Sequence, residues 1–242
     1  MLPMIVIPTY NENENIERLT RQLLGLEIGV SVLIVDDNSP DGTGEIADRL
    51  ARESSQVSVL HRKCKEGLGN AYRHGFEVAL DMGADYIFQM DADFSHNPKY
   101  VPLMLQAAES HDIVIGSRYV PGGGTENWGW SRKLISRGGG FYTRAVTGIK
   151  IMDPTSGFRC FRSDVIKAID FSRISASGFG FQVELSYVCS AMGFDIYELP
   201  IVFADRTEGT SKMSRSIVWE ALLLVGGLRH KYSDMTRQQP TA

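Results

Sequence analysis

Short apolar, β-rich runs alternate with helical stretches through the first half of the chain, and the runs end in acidic or polar residues. This alternation limits the fold more than any other feature. Met4–Ile7, Val30–Val35, Val57–Leu60, Tyr86–Met90 and Ile113–Ile115 read as strands. Asn15–Leu26 sets Ile16, Leu19, Leu23 and Leu26 on one face at helical spacing. Gly42–Ser54, Leu68–Met82 (with Phe76, Ala79 and Leu80 on its apolar side) and Pro98–Ser110 also read as helices. Pro98 suits a first helical turn, where its missing N–H costs nothing. A βαβα order predicts an α/β fold with a mostly parallel central sheet flanked by helices. Ligands of such sheets gather at the carboxyl ends of the strands. The segments to weigh are therefore Pro8–Glu12, Asp36–Ser39, Asp91–Ser95 and Gly116–Arg118.

Beyond residue 120 the pattern changes. Pro121–Gly124 is a glycine-rich loop, Ser131–Thr147 and Phe179–Met192 read as helices, and Phe158–Phe161 and Asp195–Ile201 as strands. Val218–Leu228 is a broad apolar helix. No repeat or low-complexity linker divides the chain. The expectation is a single domain over residues 1–232, with a C-terminal helix at about 214–231 and a flexible tail over 233–242.

Several classes are disfavoured. The formal net charge is −4, with no basic stripe of the kind that follows nucleic-acid phosphates, so no nucleic-acid partner is expected. Cys64, Cys160 and Cys189 are far apart and form no CxxC pair, which points to a reducing compartment and small buried residues. The chain starts on an apolar run without a basic leader, so no signal peptide is expected. The longest apolar stretch, Ile217–Leu228, contains Glu220 and is too short to span a bilayer, although it could lie on one. Neither GxGxxG nor a Walker motif follows the first strand; Gly67-Leu68-Gly69 is a weak partial likeness.

The chemistry-bearing residues remain. Asp91-Ala92-Asp93 closes the apolar run Tyr86-Ile87-Phe88. Carboxylates at i and i+2 after a strand can share one hard divalent cation, Mg²⁺ or Mn²⁺, with substrate phosphates. In Pro8-Thr9-Tyr10-Asn11-Glu12, Tyr10 can stack on a base and Glu12 can accept hydrogen bonds from ribose or base. The competing reading is a capping turn, with Asn13 or Asn15 as cap. The crowded acids Asp36 and Asp37 need partners, which ribose hydroxyls or ring N–H groups would supply, while Asp41 or Thr43 can cap the next helix.

Taken together, PTYNE at Pro8–Glu12, DDNSPDGT at Asp36–Thr43, DAD at Asp91–Asp93 and GSRY at Gly116–Tyr119 resemble the family 2 glycosyltransferases, most closely the polyprenyl- (dolichyl-) phosphate mannose synthases. The likeness extends through Gly122–Trp128, DPTSGFR at Asp153–Arg159, Arg206, and Ser211-Lys212, and covers roughly residues 4 to 230 in the expected order. It implies a GT-A fold and transfer of mannose from GDP-mannose to a polyprenyl monophosphate. By the same likeness Pro8, Tyr10, Glu12, Val35 and Asp37 would bind the nucleoside. Asp91, Ala92 and Asp93 would meet metal and diphosphate, and Arg118, Arg206 and Lys212 would bind donor or acceptor phosphate. Some relatives carry Gln as a further metal ligand where this chain has Ser95; a hydroxyl is weaker, so direct and water-mediated contact both stay open.

The resemblance also implies one in-line, inverting displacement. A phosphate acceptor, with a second pKa of about 6, is already ionised and needs no strong general base. Arg118, Arg132, Lys133, Arg137, Arg206 and Lys212 are candidates for holding the two anionic substrates together. A lipid acceptor implies peripheral residence on the cytoplasmic face of a membrane. Ser214–Lys231 could lie in the interface through Ile217, Val218, Leu222, Leu223 and Leu224, with Arg215, Arg229, His230 and Lys231 at its ends and Trp128 and Trp130 as anchors, or could be an ordinary core helix. A separate membrane-anchoring subunit is also open. The rival readings are a UDP-glucose-dependent transferase with the same acceptor, a polysaccharide-forming enzyme, and a non-catalytic nucleotide-sugar-binding subunit.

Overall fold

The computed structural model describes residues 1–126, 128–176, 178, 180–204 and 215–236; the side chains of 131, 132, 215–222 and 236 lie outside that description. The first half runs β1 (Pro3–Thr9), α1 (Ile16–Leu24), β2 (Ser31–Asp36), α2 (Thr43–Glu53), β3 (Val57–His61), α3 (Leu68–Asp81), β4 (Tyr86–Gln89), α4 (Val101–Ala108) and β5 (Ile113–Ser117). The second runs β6 (Gly124–Thr125), α5 (Trp130–Thr147), β7 (Arg159–Arg162), α6 (Ser163–Ala168), α7 (Gly180–Ala191), β8 (Ile196–Pro200), β9 (Val202–Phe203), α8 (Arg215–Lys231) and α9 (Ser233–Thr236). Every element expected from periodicity is present within a few residues. Pro98 opens a short 3₁₀ turn, Pro98–Tyr100, capped by the Asn97 side chain, before α4 begins.

The described residues build a seven-stranded sheet of order β3-β2-β1-β4-β7-β5-β8 and a small β6-β9 pair. All pairings in the large sheet are parallel except those of β7, which runs antiparallel between β4 and β5. The alternation along β1 explains the layers. Met4 and Val6 face a core shared with α3 and α7, while Ile5 and Ile7 face a second core shared with α1, α2 and α4. Both faces of the sheet are dry, as parallel strands require.

Gly75 lets α3 approach the sheet. A Cβ there would collide with the Val6 side chain and reach within 3.0 Å of Val35 Cγ2. Overpacking of this kind costs about 1–3 kcal/mol, more than the roughly 1 kcal/mol of helix propensity that alanine adds. Gly75→Ala is therefore expected to lower the melting temperature; an unchanged or higher Tm in thermal unfolding would contradict this packing.

The C-terminal helices are fastened to the body. Glu184 on α7 is fully buried and accepts hydrogen bonds from Lys231 Nζ (2.6 Å), Tyr232 Oη (2.9 Å) and the Ser175 and Ala176 amides (3.1 and 2.9 Å). Asp234 pairs with Arg173 at 2.9 Å, and this partner holds its carboxyl down at about 2. Residues 233–236, expected as part of a tail, thus form a helical turn pinned by Asp234, and 237–242 lie outside the described residues. Among the described residues, no helix is long and apolar enough to cross a membrane.

Candidate active site at the carboxyl edge of the sheet

The ends of β1 and β2 are laced together by the residues whose crowding the sequence flagged. Thr9 and Ser39 hydroxyls both donate to Asp36 Oδ1 (3.1 and 2.6 Å), and the Ser39 amide donates to its Oδ2 (3.1 Å). Asp37 takes an Arg62 guanidinium N–H at 2.5 Å, both side chains almost fully buried. Burial pushes the Asp37 carboxyl up, and Arg62 only partly offsets it. Arg62 is fixed in turn by Glu66 (2.7 Å) and His74 (3.1 Å). The crowded acids are therefore satisfied by the protein itself. Asp41 receives Thr43 Oγ1 (2.6 Å) and the Thr43 and Asn13 amides, which outweigh its desolvation and lower its pKa. Neither Asn15 nor Thr43 caps its helix through a side-chain bond.

Between these ends lies the expected nucleoside wall. Asn11 and Asn38 both adopt positive φ (62° and 58°), turning the loops back from the strands. Lys65 Nζ stands 3.9 Å from the centre of the Tyr10 ring, over one of its faces. Glu12 Oε2 accepts from Asn15, and the Glu12 amide donates to Thr43 Oγ1. The Val35 side chain is wholly buried in the core on the α3 side of the sheet, so only its main chain is left for a ligand to meet.

At the end of β4 the chain turns sharply, with Phe94 at φ 60° beneath the Arg18 guanidinium. Asp91 Oδ1 accepts from Tyr72 Oη (3.1 Å), and Asp93 Oδ1 accepts from the Ser95 amide (3.0 Å). The Asp91 amide donates to His96 Nδ1 (3.0 Å), and the His96 ring stacks on Phe158 at 4.9 Å. Acceptance at Nδ1 puts the ring proton on Nε2. Ser95 is 2 % exposed and its hydroxyl has no hydrogen-bond partner, so it is shielded rather than presented to solvent. Among the described residues, no three His, Cys, Asp or Glu side chains gather as a ready metal cage.

Arg118, expected to bind a phosphate, is held by the protein through two of its three guanidinium nitrogens. Its Nε and Nη2 form a bidentate pair with Asp153 (2.7 and 2.6 Å), and Nη2 also donates to Thr155. Asp153 is fully buried and its own amide rests on Glu198. Burial works against the Arg118 charge, but Asp153 more than compensates and raises its pKa. Tyr119, Trp128 and Phe203 ring the guanidinium at 5.3–5.4 Å. Arg118 thus clamps the end of β5 to the 153–155 loop, with Nε and Nη2 committed to the protein. Trp128, expected as a membrane anchor, is 8 % exposed and packs edge-on against Phe203. Arg206 and Lys212 lie outside the described residues, as does the Arg132 side chain. Of the other cations, Arg137 is exposed beside the Tyr119 ring and Lys133 is half-buried.

Below this edge lies a polar floor that sequence reasoning missed. Arg159, fully buried, donates to the carbonyls of Ser156, Pro154 and Gln182 and to Ser186 Oγ. Burial lowers its pKa to about 10, still charged at neutral pH. Gln89, Gln182 and His96 complete the group. Arg159 closes the DPTSGFR segment, but the burial of this group had no signal beyond polar residues inside otherwise apolar runs.

Comparison with known proteins places this geometry. The model of glycosyl transferase family 2 matches residues 4–170. The chain belongs to glycosyl transferase family 2. As a family 2 glycosyltransferase it is 46 % identical, over 93 % of both chains, to an undecaprenyl-phosphate mannosyltransferase of Micrococcus luteus. It is 42 % identical to a polyprenol monophosphomannose synthase of Mycolicibacterium smegmatis, over 92 % of this chain and 84 % of the other. The fold is also that of a glucosyl-3-phosphoglycerate synthase from Mycobacterium tuberculosis, solved with Mn²⁺, UDP and glucosyl-3-phosphoglycerate. That pair has a TM-score of 0.66 at 17 % identity, covering 99 % of this chain and 81 % of the other. The family 2 match bears out the expected GT-A type fold and glycosyltransferase class.

Proposed function

We propose that this glycosyltransferase moves mannose from GDP-mannose to the phosphate of a membrane-held polyprenyl monophosphate. The observation that carries the reading is the 46 % identity, over 93 % of both chains, to an enzyme named for mannose transfer to undecaprenyl phosphate. The arrangement of the site is compatible with it. In this reading the β1 and β2 ends would form a nucleoside wall with Pro8, Tyr10, Glu12 and Asp37; the Asp91–Asp93 turn lies beside them on the same edge.

The turn also fits a divalent cation, Mg²⁺ or Mn²⁺. Asp91 and Asp93 supply two carboxylates, with no larger cage among the described residues, the donor set such ions adopt when phosphates complete their shell. Asp91 and Asp93 would hold it, with the Ser95 amide bracing Asp93. Once bound, the cation would neutralise charge on the departing diphosphate. The chain's residues position the substrates: Asp37 and Arg62 fix the nucleoside wall, and the Arg118–Asp153 clamp sets the loop opposite. Arg206 and Lys212 are proposed to meet the acceptor phosphate. An ionised phosphate oxygen attacks the anomeric carbon in line and the nucleoside diphosphate leaves, so no protein base is required. Transfer from GDP-mannose and UDP-glucose to short polyprenyl phosphates, with and without Mg²⁺, tests this. Metal-dependent labelling from GDP-mannose is expected; labelling from UDP-glucose alone overturns the donor.

The acceptor places the enzyme peripherally at a membrane, on the cytoplasmic face in this reading. The apolar surface for that contact is chiefly on α5. Trp130, Leu134 and Phe141 are 79 %, 64 % and 67 % exposed, fall on one helical stripe, and have Arg137 among them. The neighbouring α8 adds Leu223 at 76 %, but turns Val225 and Leu228 into the core, so it is not the wholly interfacial helix considered at first. An exposed stripe of this kind can lie in the headgroup region. Leu134→Glu with Phe141→Glu is expected to cut co-flotation with vesicles containing polyprenyl phosphate by roughly tenfold. Unchanged flotation of the folded variant would remove α5 from the contact.

A further inference from the structure

Gln182 lies in the first turn of α7, is 4 % exposed, and has no hydrogen-bond partner at either Nε2 or Oε1. Native proteins keep few buried amides in this condition, because each unmade bond is destabilising. Its surroundings suggest what it is kept for. A Cβ on Gly157 would sit 3.3 Å from Gln182 Nε2, 3.6 Å from His96 Cε1 and 3.8 Å from Asp91 Oδ2. The end of β4, the loop before β7 and the start of α7 thus converge on the point a Gly157 side chain would occupy. Gly157 is not among the positive-φ glycines, so space, rather than backbone conformation, is what a side chain there would violate. Gln89 also lacks partners, but it lies within the sheet, in register with Arg159.

We infer that Gln182 hydrogen-bonds a hydroxyl of the donor's sugar beside Asp91, and so helps to determine which sugar is transferred. This rests on the glycosyl-transfer reading above. The chemistry selects an alcohol. An amide can donate through Nε2 and accept through Oε1, and a hydroxyl answers both; an ionised phosphate has no proton for Oε1. The Asp91 carboxylate in the same space further disfavours a bare phosphate. The amide is shielded from bulk water, so one hydroxyl contact discriminates strongly, and a sugar lacking it leaves the amide unsatisfied.

The test compares wild type, Gln182→Met and Gly157→Ala. It measures kcat/KM for GDP-mannose and for a set of monodeoxymannose GDP donors, the Kd for GDP alone, and the melting temperature. Gln182→Met keeps length and loses the amide; Gly157→Ala fills the shared space. Both are expected to lower kcat/KM for GDP-mannose at least about tenfold while GDP affinity stays within about twofold. One monodeoxy donor should be poor with wild type yet no poorer than GDP-mannose with Gln182→Met, which a merely structural role would not produce. A folded Gln182→Met with wild-type kcat/KM, an equal loss of GDP affinity, or unchanged penalties for every deoxy donor would overturn the inference. If Gln182→Met does not fold, Gly157→Ala decides by the split between GDP affinity and kcat/KM. Wild-type enzyme that uses UDP-glucose but not GDP-mannose refutes the donor assignment instead, and the same comparison with deoxyglucose donors then judges Gln182.

Discussion

Asp93→Ala is expected to lower kcat by roughly 10²–10³-fold, the order lost when one preorganised electrostatic group is removed from a reacting centre. Asp93 is 8 % exposed at the end of β4, and its Oδ1 is held by the Ser95 amide. Two roles are separable here: keeping the turn folded, and supplying negative charge for the proposed cation. Asp93→Asn separates them, since its amide oxygen still accepts from Ser95 while the charge is gone. If charge matters, Asn is nearly as inactive as Ala, and both lose Mn²⁺ affinity in a titration followed by electron paramagnetic resonance. If only the turn matters, Asn recovers most turnover. Near-normal turnover in Asp93→Ala would remove the carboxylate from the reaction altogether.

Asp153→Ala is expected to cause the largest loss of stability, about 3–5 kcal/mol, because it leaves the Arg118 guanidinium buried without its carboxylate. For a chain of this size that is a fall in Tm of roughly 6–20 °C. The loss is mainly the penalty of an orphaned charge and not the net worth of the pair. Asp153→Ala combined with Arg118→Met should therefore recover part of it, and chemical denaturation of the two single variants and the double measures the difference. A single variant within 1 kcal/mol of wild type, as is usual for exposed pairs, would mean that water reaches Arg118.

Arg118 also shows where sequence reading stops. The strand ends, the acidic turn and the helix faces depend on local periodicity, and they were legible. Arg118 stood in a motif beside other candidate ligands, and nothing local tells a substrate-binding arginine from one whose partner is 35 residues on. The antiparallel direction of β7 was hidden for the same reason: Phe158–Phe161 is apolar whichever way it runs. Val35 and Trp128 have side chains whose burial is decided by packing partners elsewhere in the chain. His96 and Gln182 carried no motif, only polarity in places where the fold later proved dry.

The reversed strand has a consequence for how such an enzyme can change. Because β7 runs opposite to β5 and pairs with it, Ile115 opposite Arg159, the chain leaves the sheet and returns to it at the same edge on adjacent strands. Everything between, including α5 with its exposed stripe and the 153–157 loop, is an excursion whose two ends are already side by side. Lengthening or replacing such an excursion adds little closure entropy, since the cost grows only with the logarithm of its length. The parallel strands and the β1 and β2 ends need not move when it does. One scaffold can therefore tolerate wide variation in this single cassette while its parallel strands stay as they are.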